Sequence, residues 1–329
     1  MRVIAGDIGG TKTLLELLEV QPGSREVILE RRYESALFPT FEAMLGEFLQ
    51  IESAPVSAAC FAVAGPVLDG RSEITNLSWV IEASALREKF ALPAVTLMND
   101  FAAVAVGVPL LTEKDLHSLN PGKRDRTMPI AIIGAGTGLG EAIVVPDGGS
   151  WRAIPSEGGH ADFAPGNEDQ AALLQVLRQR YGHVSCERVV SGMGLVNIFT
   201  FLRDRQQTSM HIDPHFSEEN VDIPATVSRL AEKGDPLSVR TLEMFVDVYG
   251  AEAGNLALKV IARGGVYLAG GIVGKNLARF TDGRFMEAFA SKGRFRDLMM
   301  EFPVDAITNA KVGLIGAADV ATRAAGVQR

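Results

Sequence analysis

Two glycine-rich stretches have the composition to hold phosphate. One is GDIGGTKT, Gly6 to Thr13, and the other is GAGTGLG, Gly134 to Gly140. Glycines let a backbone approach a phosphate closely and leave its N–H groups free to donate. Thr11 and Thr137 each add a hydroxyl. Asp7 is out of place beside phosphate unless a Mg²⁺ ion stands between them, directly or through water. A plain hairpin turn with an ordinary turn aspartate also accounts for the first stretch. The second stretch favours phosphate, because two such turns can hold the two ends of a triphosphate. Gly6, Lys12 and Thr13 also fit the P-loop spacing, but Thr11 stands where that pattern requires glycine.

Three further places carry groups suited to chemistry. In LMNDFAA, Asn99 and Asp100 follow an apolar strand and so stand at its carboxyl end, where open α/β sheets bind ligands. A carboxylate there can take the proton from a hydroxyl that attacks phosphorus. An Asx-type helix cap is the plainer use of the same residues. In PSEGGHADFAP, Glu157 and His160 flank two glycines. A carboxylate beside an imidazole suits a polyol, whose hydroxyls need acceptors and donors, although solvated loop residues would look the same. Glu-x-x-His also occurs in metal sites, but the remaining ligands are missing. Glu187, in SCERVVSG, is a weaker signal still, and a glutamate on a helix surface is its default reading. GGVYLAGGIVG is a buried strand that ends at Gly270 and Gly271. That ending admits a flat ligand such as adenine, or only tight packing of strand on helix.

Elements must position these groups. IAGDIGGTKTLLEL and IIGAGTGLGEAIVV share a plan: apolar run, glycine turn with a threonine, apolar run. The second reads as a hairpin. By analogy Thr13 to Val20 is a return strand, although Leu14, Leu17 and Leu18 would also suit the helix that a P-loop needs. Ser57–Val67 and Ala94–Asp100 read as strands. Phe41–Gln50, Ser84–Phe90 with Ser84 as N-cap, Phe101–Val106, Asp169–Gly182, Asp235–Ile261 and Gly313–Thr322 read as helices. Gly264–Gly274 reads as a strand and a turn. Gln206–Pro224 reads as an exposed connection, where Pro214 between His211 and His215 argues against a helical metal pair. Two hairpin-led halves with helices between them imply a duplicated α/β architecture with a cleft between lobes. The crossing falls near Val108 to Arg126.

Composition removes several classes. The 329 residues suffice for two domains, and a hydrophobic fraction of 47% with 22% charged residues is ordinary for a globular protein. A net charge of −8 without a basic run argues against nucleic acid. Two cysteines, Cys60 and Cys186, form no metal-binding pattern and read as buried thiols in a reducing compartment. No signal peptide and no membrane span is visible. The expectation is a cytoplasmic protein that engages no membrane.

In order along the chain, GDIGGTKT, AGPV, TNLSW, NDFAAVA, GAGTGLG, SEGGHADFAP, ERVVSG and GGVYLAGGI resemble the bacterial ATP-dependent glucokinase family, of the sugar kinase, Hsp70 and actin superfamily. The resemblance runs from Val3 to about Ala321. SEGGHADFAP and LMNDFAA are its most specific parts. It implies a two-lobed actin-like ATPase fold, ribonuclease H-like, with a cleft between a small and a large α/β domain. The small domain would be 1–110 with the C-terminal helix 312–329, and the large domain 111–311. It implies transfer of the γ-phosphate of ATP to the 6-hydroxyl of glucose, with ATP and Mg²⁺ as cofactors. Asp100 would be the catalytic base. Asn99, Asp100, Glu157, His160 and Glu187 would hold glucose. Gly6, Asp7, Ile8, Gly9, Gly10, Thr11, Gly136, Thr137, Gly138, Gly270 and Gly271 would face ATP, with Asp7 on the Mg²⁺ side. Relatives are often homodimers. Lys12, Met193 and Cys186 depart from the usual pattern, which bears on fine substrate preference, and the zinc-binding cysteines of a related family are absent. Another hexose, mannose or fructose, is the alternative substrate. A sugar-sensing repressor would need a DNA-binding segment ahead of the first hairpin, and Met1 begins almost on the strand.

Overall fold

β1 (Arg2–Ile8) and β2 (Lys12–Gln21) pair antiparallel, with Asp7 opposite Leu14 and Ile8 opposite Thr13. A strand, not a helix, follows the first glycine turn. The P-loop reading is thereby excluded in this computed structural model, which describes residues 1–52, 55–74, 77–205 and 222–327. His211 and His215, most of the polar stretch around them, and Thr75 and Asn76 of TNLSW lie outside the described residues. β3 (Ser24–Glu34) pairs with β2, and β4 (Ala58–Val63) runs parallel to β1. β5 (Arg71–Glu73) and β6 (Val80–Glu82) form a separate ribbon, and β7 (Val95–Asn99) runs parallel to β4. The first sheet has the order β3-β2-β1-β4-β7.

β4 shows how this sheet is packed. Successive side chains of a strand point to opposite faces. Ala59, Phe61 and Val63 join Phe41, Met44, Leu45 and Phe48 of the Phe41–Ile51 helix in one apolar layer. Ala58, Cys60 and Ala62 join Leu314, Ala317, Ala318 and Ala321 of the Val312–Ala324 helix in the other. The small side chains of the second layer let backbones meet. A Cβ added to Gly316 would lie 1.9 Å from the Ala103 carbonyl oxygen, and one on Gly107 2.1 Å from that of Val312. The Asp100–Gly107 helix is therefore held backbone to backbone by the terminal helix, and Asp100 begins it.

β8 (Leu116–Asn120), β9 (Ile130–Ala135), β10 (Leu139–Asp147), β11 (Ser150–Ser156), β12 (Gly265–Ala269) and β13 (Val304–Ile307) form the second sheet, in the order β11-β10-β9-β12-β13-β8. β9 and β10 are antiparallel, and β12 runs parallel to both β9 and β13. Taken in chain order, β9 to β13 repeat the arrangement of β1, β2, β3, β4 and β7, and β8 is added at one edge. The echo between the two glycine stretches thus extends over five strands. The Pro236–Val260 helix crosses the core of this half, where Gly250 and Gly254 let it touch the carbonyls of Phe285 and Phe289.

The chain divides into two units. One comprises Met1–Thr112, Trp151–Ile154 and Asn309–Arg329, and the other Glu113–Ser150 and Pro155–Thr308. The short segment Trp151–Ile154 was expected with the large domain and groups with the first unit. The helix expected from Ser84 starts at Ala83, so Ser84 is not its cap; Glu82 holds that place without a side-chain bond. A short helix, Gly271–Lys275, replaces the turn expected after β12. The strand expected over Ser57–Val67 ends at Val63. Cys60 and Cys186 are buried free thiols. Among the described residues no helix is long and apolar enough to cross a membrane.

Candidate active site

The first turn is braced through its carbonyls. The Gly9 amide donates to the Lys12 carbonyl at 3.0 Å, Ser35 Oγ donates to the Gly9 carbonyl at 2.8 Å, and the Ser35 amide donates to the Thr11 carbonyl at 3.0 Å. The amides of Gly10 and Thr11 donate to no acceptor among the described residues. Gly6 and Ile8 lie in β1, not in the turn. A Cβ on Gly6 would lie 2.7 Å from Cδ1 of Phe61, and the Ile8 side chain is fully buried. Packing explains both residues, and they support the turn from below.

The second turn repeats the plan. The Gly136 amide donates to the Gly138 carbonyl at 2.9 Å, and the Gly192 amide to the Gly136 carbonyl at 2.8 Å. Thr137 and Gly138 present amides that donate to no acceptor among the described residues. The buried Tyr249 hydroxyl pins the preceding strand, accepting from the Ala135 amide at 3.3 Å and donating to the Ile133 carbonyl at 3.1 Å. Glu187 Oε2 accepts from the Leu139 amide at 2.9 Å, and a Cβ on Gly138 would lie 2.4 Å from that same oxygen. Glu187 is therefore not a helix-surface residue. It stands on the one-turn 3₁₀ segment Cys186–Arg188 with its carboxylate against the glycine turn.

Asp7 and Asp100 stand near the carboxyl ends of the parallel strands β1 and β7, with β4 between them. The cap of the Asp100–Gly107 helix is Asn99, whose Oδ1 accepts from the amides of Phe101 at 2.9 Å and Ala102 at 3.2 Å. Its Nδ2 donates to the Gly65 carbonyl at 3.1 Å. Capping is thus the work of Asn99, and Asp100 is not needed for it. Asp100 Oδ1 accepts from the Phe101 amide at 2.8 Å. Burial pushes the Asp100 carboxyl above its ordinary range, and hydrogen bonds from Phe101 and Asn99 pull it back in part. Burial and then the charge of Asp100 push Asp7 up to about 6. No lysine or arginine among the described residues offsets the Asp7 shift. Two desolvated carboxylates beside a turn with free amides are a setting that a divalent cation would relieve. The residues fit Mg²⁺ on that ground. Among the described residues no cluster of three or more His, Cys, Asp or Glu side chains could hold a metal by itself.

The structure brings Glu157, His160 and Glu187 together. His160 Nε2 lies 3.8 Å from Glu157 Oε2, and its Nδ1 lies 3.9 Å from Glu187 Oε1. Both separations exceed a direct hydrogen bond, so the imidazole does not tie up either carboxylate. The Glu157 side chain is 92% exposed and that of Glu187 30%. The loop is seated by Gly159, where a Cβ would lie 2.1 Å from the Leu139 carbonyl oxygen. Its far end is clasped to the segment that carries Glu187. Phe163 donates its amide to the Val184 carbonyl at 3.0 Å, and Cys186 to that of Ala161 at 2.9 Å.

Gly270 and Gly271 part company. Gly270 has φ +92°, and a Cβ there would lie 2.2 Å from the Ala135 carbonyl oxygen, so packing and backbone conformation demand the glycine. A Cβ on Gly271 would meet nothing. Sequence reasoning missed two buried acids, Glu141 and Glu252. The signal was there for Glu252, which continues the buried stripe Phe245, Tyr249, Glu252 and Leu256 of the long helix.

A family model described as Glucokinase matches residues 4–324. The chain belongs to the glucokinase family. A glucokinase of Trichormus variabilis is 45% identical over 339 residues, covering 98% of this chain and 99% of that one. A glucokinase of Nostoc punctiforme is 44% identical, with the same coverage. The crystal structure of a glucokinase from an Antarctic psychrotroph superposes with a TM-score of 0.85 at 31% identity, over 98% of this chain and 99% of that chain. The α/β architecture, with its repeated hairpin-led sheet, is the family's fold.

Proposed function

We propose that the protein transfers the γ-phosphate of ATP to the 6-hydroxyl of D-glucose, giving glucose 6-phosphate and ADP. The observation that carries this reading is Asp100, a desolvated carboxylate at a strand end that Asn99 frees from capping. Its raised proton affinity suits a base that takes the 6-hydroxyl proton as that oxygen attacks phosphorus in line. The transition state of phosphoryl transfer is largely dissociative, so positioning and charge neutralisation outweigh base strength. The amides of Gly10, Thr11, Thr137 and Gly138 donate to the phosphates. Gly271 leaves room for the adenosine. Asp7 holds Mg²⁺, directly or through water, and the ion when bound neutralises charge on the phosphates. Glu157, His160, Glu187 and the remaining N–H of Asn99 take the sugar hydroxyls. The name that the relatives bear supports glucose as the acceptor. A cytoplasmic setting and a homodimer belong to the same reading.

An ADP-release assay with a panel of sugars tests it. Turnover with glucose, and far less with mannose or fructose, is the expected result. ATP hydrolysis without sugar would make the protein an ATPase, and a preference for mannose or fructose would reassign the substrate.

A further inference from the structure

Beneath the Glu157–His160 loop lies a pair of buried acids with no part in the reading above. Glu141, on β10, is 2% exposed, and Glu252, on the Pro236–Val260 helix, is 6% exposed. Their carboxyl groups are close enough for a hydrogen bond between them. Glu141 Oε1 is buried and meets no donor among the described residues. Two carboxylates cannot bond to each other unless one carries a proton, and an unpaired buried polar atom is costly. One shared proton satisfies both.

Both sugar-recognition elements rest on this pair. A Cβ on Gly158 would lie 2.1 Å from Glu141 Oε2, so the loop backbone sits directly on that carboxyl. On the other side Glu252 Oε2 accepts from the Cys186 thiol at 3.3 Å and from Asn255 Nδ2 at 3.0 Å. Cys186 immediately precedes Glu187. We propose that Glu141 and Glu252 share one proton, and that this proton keeps the Glu157–His160 loop and the Glu187 turn in their sugar-binding positions. Glu141 and Glu252 are then positioning residues. Loss of the proton would leave two buried like charges under the loop, and repulsion would lift it. The inference rests on the sugar-binding role assigned above to Glu157, His160 and Glu187.

Among the described residues, the loop seated on the pair carries Glu157 and His160. The long helix supplies Glu252, Lys259 and the Tyr249 hydroxyl, and the Cys186 thiol comes from the 3₁₀ turn. Lys292 lies on the Glu252 side, where its Nζ donates to Asn255 Oδ1 at 2.7 Å. Burial and then the charge of Glu252 push the Glu141 carboxyl up to about 7, with Lys259 opposing. The proton is then lost across the neutral range.

The test is the glucose KM of the wild type, Glu141→Gln and Glu252→Gln between about pH 6 and pH 8. With a midpoint near 7, the protonated fraction falls from about nine-tenths to about one-tenth, so the wild-type KM rises about tenfold. Either amide removes the shared proton, keeps the shape and should flatten that rise, with kcat little changed. His160 is present in all three proteins, so its own contribution cancels in the comparison. The infrared band of a protonated carboxylic acid gives a second readout that needs no turnover. It should be present near neutral pH in the wild type and reduced in both variants. Variants that keep the wild-type KM profile, or a wild type without the acid band, overturn the proposal. A protein whose band is reduced in both variants but which phosphorylates no glucose would overturn the sugar-kinase reading and leave the proton sharing standing.

Discussion

The two glycine turns share a backbone plan and differ in their acids. In the first unit Asp7 and Asp100 are desolvated near strand ends, and each is pushed toward its protonated form. In the second unit Glu187 is bonded to the Leu139 amide, and Glu157 stands in solvent. The same hairpin scaffold thus carries acids in two different environments. A desolvated carboxylate gains proton affinity and suits proton transfer or a cation. An exposed carboxylate, or one turned toward a glycine turn, suits recognition of hydroxyls. On this account the acids of the first unit carry the chemistry and those of the second select the sugar.

Substitutions can break that division. Asp100→Ala should lower kcat by about 10²–10⁴-fold, the usual range for a general base. Calorimetry should still detect glucose binding. Glu187→Gln should act on the other side of the comparison. Losing a charge-assisted hydrogen bond costs about 1.5–3 kcal/mol, so the glucose KM should rise roughly 10–100-fold while kcat at saturation stays close to wild type. A fall in kcat alone would move Glu187 to the chemical side.

Asp7→Asn should separate stability from function. Asp7 has a folded pKa of about 6 against an ordinary value of 3.8. The folded state therefore binds more protons than the unfolded one between these values, and stability falls as pH rises through that window. Above it the ionised carboxylate costs on the order of 1–3 kcal/mol. The amide should raise the melting temperature at neutral pH and lose turnover with MgATP. The gain should fade below about pH 4. An unchanged melting temperature would place Asp7 among unstrained surface acids.

Glycine substitutions give the smallest effects and sharpen the comparison within one turn. Gly138→Ala would drive a methyl into Glu187 Oε2 and should raise the glucose KM. At Gly136 a Cβ meets nothing within 4 Å, so Gly136→Ala should leave that KM unchanged. Equal effects would show that the turn backbone, not Glu187, is what the methyl disturbs.

Much of the fold was legible because periodicity and turn chemistry are local. Thr11 in place of a glycine, together with the repeat of the apolar–glycine–apolar plan, pointed to hairpins, and the sheets have them. Ser84 failed as a cap because one residue of register decides which side chain reaches the first amides. The roles within Asn99-Asp100 were open in the sequence, since either residue can cap a helix. Only the hydrogen bonds of Asn99 divide the pair. Gly6 looked like part of a phosphate turn, yet its smallness answers Phe61 on a neighbouring strand. Glu141 was hidden for the same reason. A lone acid in the apolar run EAIVV means little until the fold lays Glu252 and Gly158 against it.

The most direct measurement is the rate of phosphoryl transfer in a single turnover, by rapid quench at saturating glucose and MgATP, for the wild type, Asp100→Ala and Glu187→Gln. The account predicts that Asp100→Ala slows this step by about 10²-fold or more, while Glu187→Gln stays close to the wild type. A near-normal rate in Asp100→Ala would remove that residue from the chemistry and contradict the account.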